Sequence, residues 1–138
     1  MALYVEVSAG ELLDKLTILE IKAARIQDPA KLANVHKELK SLRAAWSSAP
    51  CSRIDVSTPI AALKSVNEAL WDIEDEIRRK EARQEFDREF IELARSVYHR
   101  NDERAAIKRE LNRLLDSDLV EEKSYTDYGQ SAERTSDE

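Results

Sequence analysis

The chain has 138 residues, with two glycines, three prolines and one cysteine, and 28 acidic against 22 basic side chains give a net charge of −6. Average usage would supply roughly nine or ten glycines at this length, so glycine-rich nucleotide loops and the many turns of a β-sandwich or barrel are excluded. The acidic balance speaks against nucleic-acid binding and a polybasic anchor, and no run approaches the roughly 18 apolar residues of a membrane span.

Met1 to Glu6 shows no positive segment leading into an apolar one, so no signal peptide is expected and the protein reads as cytoplasmic. Leu3, Val5 and Val7 alternate with Tyr4 and Glu6, which predicts a short β-strand over 3–7. Its partner is either Ser124-Tyr125-Thr126 or a second protomer. Ser8 and Glu11 form a capping box, and a helix is predicted over 9–26. Its seam is Leu12, Leu16, Leu19, Ala23 and Ile26. Ile18 and Ile21 fall on the opposite side with Asp14 and Arg25. A helix apolar on two faces is either central or packed against a second subunit.

Asp28-Pro29 combines an N-cap with a first-turn proline and opens a helix over 29–47, with Leu32, Val35, Leu39, Leu42 and Trp46 inward. The short connection predicts an antiparallel hairpin. Residues 48–57 read as a loop. It carries Cys51, the lone cysteine, which cannot form an internal disulfide. His36 and His99 are too scattered for a recognisable metal site. Thr58-Pro59 opens a third helix over 59–81, with Leu63, Val66, Leu70, Ile73 and Ile77 as its seam. Asp87 is a candidate cap for a last long helix, and the seam pattern is Phe86, Phe90, Leu93 and Val97, then Ile107, Leu111 and Leu114. Heptad counting carries Arg100 and Arg104 into that seam, so the helix is either continuous or broken near Asn101-Asp102. Residues 121–128 are expected to dock on the helices. Residues 129–138 hold no large apolar residue and are expected to be disordered. The expected fold is an all-α antiparallel four-helix bundle, one domain over 1–128, with a short N-terminal strand and a disordered tail.

Two constellations could carry chemistry. Glu11 and Asp14, with Glu68, Asp72 and Asp75, have the spacing of acidic pairs that hold Mg²⁺ against a phosphate in all-α nucleoside triphosphate pyrophosphatases. Against this, Asp14 and the later three point away from their seams, and a solvated acidic face is the simpler reading. Lys15 and Glu20, Asn67 and Glu74, and Arg100, Asn101, Arg104 and Lys108 lie in or beside apolar seams. They form either an internal salt-bridge layer or, through Arg100, Arg104 and Lys108, a cationic pocket for a phosphate or carboxylate.

The runs Gly10 to Lys22, Asn67 to Asp75, Ala94 to Tyr98, Asn101 to Ala105 and Glu121 to Tyr125 resemble a short bacterial family of unknown function. Its members are associated with genes for lipopolysaccharide and other surface-glycan synthesis, sometimes beside glycosyltransferases. The resemblance implies a bacterial, cytoplasmic protein and supplies no catalytic residues. Three functions follow, in order. The first is a non-catalytic, homodimeric interaction module for a partner such as a glycosyltransferase, needing no cofactor. The second is a binder of a small anionic ligand such as a nucleotide sugar. The third is a Mg²⁺-dependent phosphohydrolase.

Overall fold

A computed structural model describes residues 1–128, so the expectation about the tail at 129–138 lies outside the described residues. Four α-helices follow one another: α1 (Ala9–Arg25), α2 (Pro29–Ser48), α3 (Ser57–Ala82) and α4 (Arg88–Leu114), with a 3-10 turn at Pro50–Arg53. Local chemistry sets their starts. The Ser8 hydroxyl accepts from the Glu11 amide at 3.1 Å, Asp28 accepts from Ala30, and Asp87 accepts from Phe90. Helix α3 begins two residues before the predicted proline. Asp55 accepts from both the amide and the hydroxyl of Ser57, which starts the helix early. Pro59 then falls in the first turn, where its missing N–H breaks no intrahelical bond. The last helix is continuous through Asn101-Asp102.

Helices α3 and α4 end alike. The Glu85 amide donates to the Lys80 carbonyl and Gln84 to Glu81; at the second end Ser117 donates to Asn112 and Asp116 to Arg113. These are Schellman closures, which need one left-handed residue. Gln84 (φ 57°) and Asp116 (φ 50°) take that conformation in place of glycine.

Among the described residues α1 packs against all three other helices, α3 packs against α4, and α2 touches α1 and the 3-10 turn. Both faces of α1 are therefore used inside the chain. Leu13, Leu16 and Leu19 join Val35, Leu39, Leu63, Leu111 and Leu115 in the core. Asp14, Thr17 and Ile21, three and four residues apart, are buried as well. Between positions 68 and 107, by contrast, Lys80 is the one residue classed as buried. The core thus sits at the α1 level, and the far ends of α3 and α4 lean on each other.

Contacts between α1 and α4 climb one helix while descending the other. Ala9 donates to the Ser117 hydroxyl at 3.1 Å, Gly10 to the Asn112 side chain at 2.7 Å, Glu11 meets Lys108, and Asp14 meets Arg104. The first-turn amides of α1 are thus taken by side chains of Ser117, Asn112 and Ser8. Gly10 permits this approach: a Cβ there would stand 2.6 Å from the Lys108 carbonyl oxygen.

The predicted N-terminal strand does not form. Residues 1–7 are exposed and no strand occurs among the described residues. The in-chain candidate partner is engaged elsewhere. Lys123 lies over the Tyr125 ring, and Glu121 and Tyr128 bind along α4, and no backbone hydrogen bond joins this segment to residues 3–7.

Candidate functional site

The inward face of α4 carries Asn101, Arg104, Lys108 and Leu111 at helical spacing, so the polar stretch read in the sequence turns toward α1. It meets Asp14, whose side chain is 1% exposed. Arg104 grips this carboxylate with two bonds, Nε to Oδ1 at 2.9 Å and Nη2 to Oδ2. Asn67 on α3 donates its side-chain nitrogen to Asp14 Oδ1 and to Thr17 Oγ1, each at 2.9 Å. Thr17 donates in turn to the Asp14 carbonyl. Lys108 Nζ stands 3.8 Å from Asp14 and donates to Glu11 at 2.7 Å and to Glu121 at 2.8 Å.

The electrostatics follow from these bonds. The Arg104 pKa is raised, first by its hydrogen bonds to Asp14. Burial is the largest single influence on Lys108 and pulls its pKa down, but bonds to Glu11 and Glu121 outweigh it and the net shift is upward. Glu121 is lowered by its bond to Lys108. Each charge has an opposite partner, and no buried side-chain nitrogen or oxygen among the described residues is left without one. Such layers hold register, because stranding one member is costly.

Beside this layer a cleft of about 400 Å³ opens between α1, α3 and α4. Ile18, Ile21, Leu70 and Trp71 line it, together with Asn67, Arg104, Asn101, Glu74 and Asp75. The structure therefore gathers Asp14, Asn67, Glu74, Asn101, Arg104 and Lys108 in and around one place. It sends the others elsewhere. Lys15 is exposed. Glu20 faces Lys64 at 3.3 Å and Arg43 at 3.6 Å. Arg100 is exposed and pairs with Glu103, so the three cations do not converge.

The five carboxylates of the Mg²⁺ alternative are also dispersed. Asp14 is gripped by Arg104, Glu11 by Lys108 and Asp72 by Arg25 at 2.5 Å, while Asp75 is exposed on the cleft and Glu68 is half-buried. Among the described residues no three His, Cys, Asp or Glu side chains stand close enough to share a metal ion.

Sequence reasoning passed over Thr17, Asn112, Ser117 and Glu121. Thr17 had a signal, standing three residues after Asp14 on the same face. Glu121 lay in the segment expected to dock, without a partner assigned, while Asn112 and Ser117 had no signal, since they act across 102 and 108 residues.

The model of a family of unknown function, DUF6165, matches residues 3–135, nearly the whole chain, and the chain belongs to that family. No curated protein and no solved structure matches it. No helix among the described residues is long and apolar enough to cross a membrane.

Proposed function

We propose that this member of the DUF6165 family is a non-catalytic helical interaction module whose N-terminal arm pairs with a second copy of the chain. One observation carries the reading. Leu3, Tyr4 and Val5 are 82%, 95% and 79% exposed, on a segment without regular structure whose backbone pairs with nothing among the described residues. An alternating apolar edge of this kind gains both hydrogen bonds and burial when it meets its like. The helices behind it, read as an antiparallel bundle on the strength of their short connections, supply a rigid base. The resemblance to a bacterial family linked with surface-glycan genes makes a cytoplasmic accessory role in envelope glycan synthesis the setting, with a glycosyltransferase as further partner.

The two other readings draw less support. Arg104 and Lys108 already face Asp14, Glu11 and Glu121, which leaves little positive charge for a phosphate or nucleotide sugar. Asp14, Glu11 and Asp72 are likewise occupied by cations, which is not the arrangement a Mg²⁺-dependent phosphohydrolase uses.

Light scattering on the full chain at micromolar concentration tests the proposal. The expected mass is twice the 15.8 kDa of one chain, falling to a single chain in the Tyr4→Asp/Val5→Asp variant. A monomeric wild type, or a variant that stays dimeric, overturns it.

A further inference from the structure

We infer that the cleft between α1, α3 and α4 is a binding site for a small, flat, uncharged molecule bearing an amide edge, an N–H beside a C=O. At about 400 Å³ the cleft falls within the range of small-molecule sites, roughly 300–1,000 Å³.

Its polar groups specify the ligand. Asn67 is only 6% exposed and its amide orientation is set, because both acceptors of its nitrogen are unambiguous: a carboxylate and a hydroxyl that donates elsewhere. Its carbonyl oxygen accepts from neither. No fully buried side-chain oxygen lacks a hydrogen-bond partner among the described residues, so this oxygen keeps some solvent contact, and Asn67 lines the cleft. The oxygen requires a donor.

Arg104 supplies the complement. Two of its five N–H groups bind Asp14, which leaves three, and its side chain is 29% exposed on the same cleft. These require an acceptor. An acceptor and a donor, both braced by Asp14, match the two edges of an amide.

Charge and shape narrow the class further. Asp14 neutralises Arg104, Glu74 faces Arg78 at 4.0 Å, and the exposed Asp75 adds negative charge at the cleft. A phosphate or carboxylate would find no uncompensated cation lining it. Ile18, Ile21 and Leu70 form an apolar wall, and Trp71 is steadied by Arg25 stacked 5.8 Å from its ring centre. Such walls suit a flat body. The arm residues 1–7 do not line this cleft, so the site is independent of self-association.

Benzamide is the probe, with benzoate as an anionic molecule of the same shape. Two-dimensional NMR of the labelled full chain follows the Asn67 side-chain amide and the Trp71 indole. Benzamide should shift both saturably, with an affinity on the order of millimolar, as its small size dictates. Benzoate should bind at least about tenfold more weakly. Asn67→Ala strips the Asp14 layer and can unfold the chain, so Trp71→Ala, on the cleft wall, is the variant, with its helicity checked by circular dichroism. It should lose the response, whereas Tyr4→Asp/Val5→Asp should keep it. Benzoate equal to benzamide, a response that survives Trp71→Ala, or no shift at about 10 mM benzamide overturns the inference.

Discussion

Asp14 is the residue on which the interior depends. A carboxylate taken out of water needs charge and hydrogen bonds in return, and it receives them from α3 and α4 together. Asp14→Ala should therefore lower unfolding free energy by about 3–5 kcal/mol, because Arg104 and Lys108 would remain facing an apolar methyl. Urea titration followed by circular dichroism measures this. Tyr128 offers a second test, in pH. Its hydroxyl donates to Asp102 at 2.7 Å and lies 3.1 Å from His99 Nδ1, and the Asp102 bond is the main reason its pKa rises to about 12. A raised folded value means the contribution is complete below the unfolded value of 10.0 and is lost as pH climbs through 10 to 12. Ultraviolet titration should show one of the four tyrosines ionising late, and Tyr128→Phe should abolish that component. At this scale the sequence was informative about kind but not about role. Asp14, Asn67 and Arg104 stood out as polar groups at or near seams. That all three meet was hidden, because Asp14 lies 53 residues from Asn67 and 90 from Arg104.

Helices were the most legible level. Capping residues and apolar spacing act over three or four positions, so Ser8, Asp28 and Asp87 could be read directly, and α1, α2 and α4 begin where those caps place them. The Asp55 side chain, which accepts from Ser57 just ahead of α3, was missed, since the Thr-Pro pair after it carried a stronger local signal. The glycine shortage also acquires a meaning here. Helix ends use Gln84 and Asp116 in left-handed conformations, while Gly10 is kept for contact between helices. Gly10→Ala should destabilise by about 1–3 kcal/mol, despite alanine's better helix propensity, because the clash is with backbone at Lys108 and α1 must move off α4. Thermal melts of the variant check this.

For the whole molecule, α1 is the hub, and this resolves its two apolar faces. One faces α2 and the other faces α3 and α4, so both are used within the chain. The surface left over is instead the arm. Because residues 1–7 are exposed, Tyr4→Asp/Val5→Asp should leave the monomer's own stability within about 0.5 kcal/mol while removing self-association. A matched fall in mass and core stability would mean that the arm is part of the core. Family membership accords with the resemblance to a family of unknown function and covers residues 3–135. The residue order alone established four helices, their main caps and the positions of the polar seam residues, because those depend on neighbours within one or two turns. The meeting of Asp14, Asn67 and Arg104, the close approach at Gly10 and the failure of the 3–7 strand were settled by packing. Each is a contact, or the lack of one, between distant segments, and short-range periodicity does not encode which of two faces will find a partner.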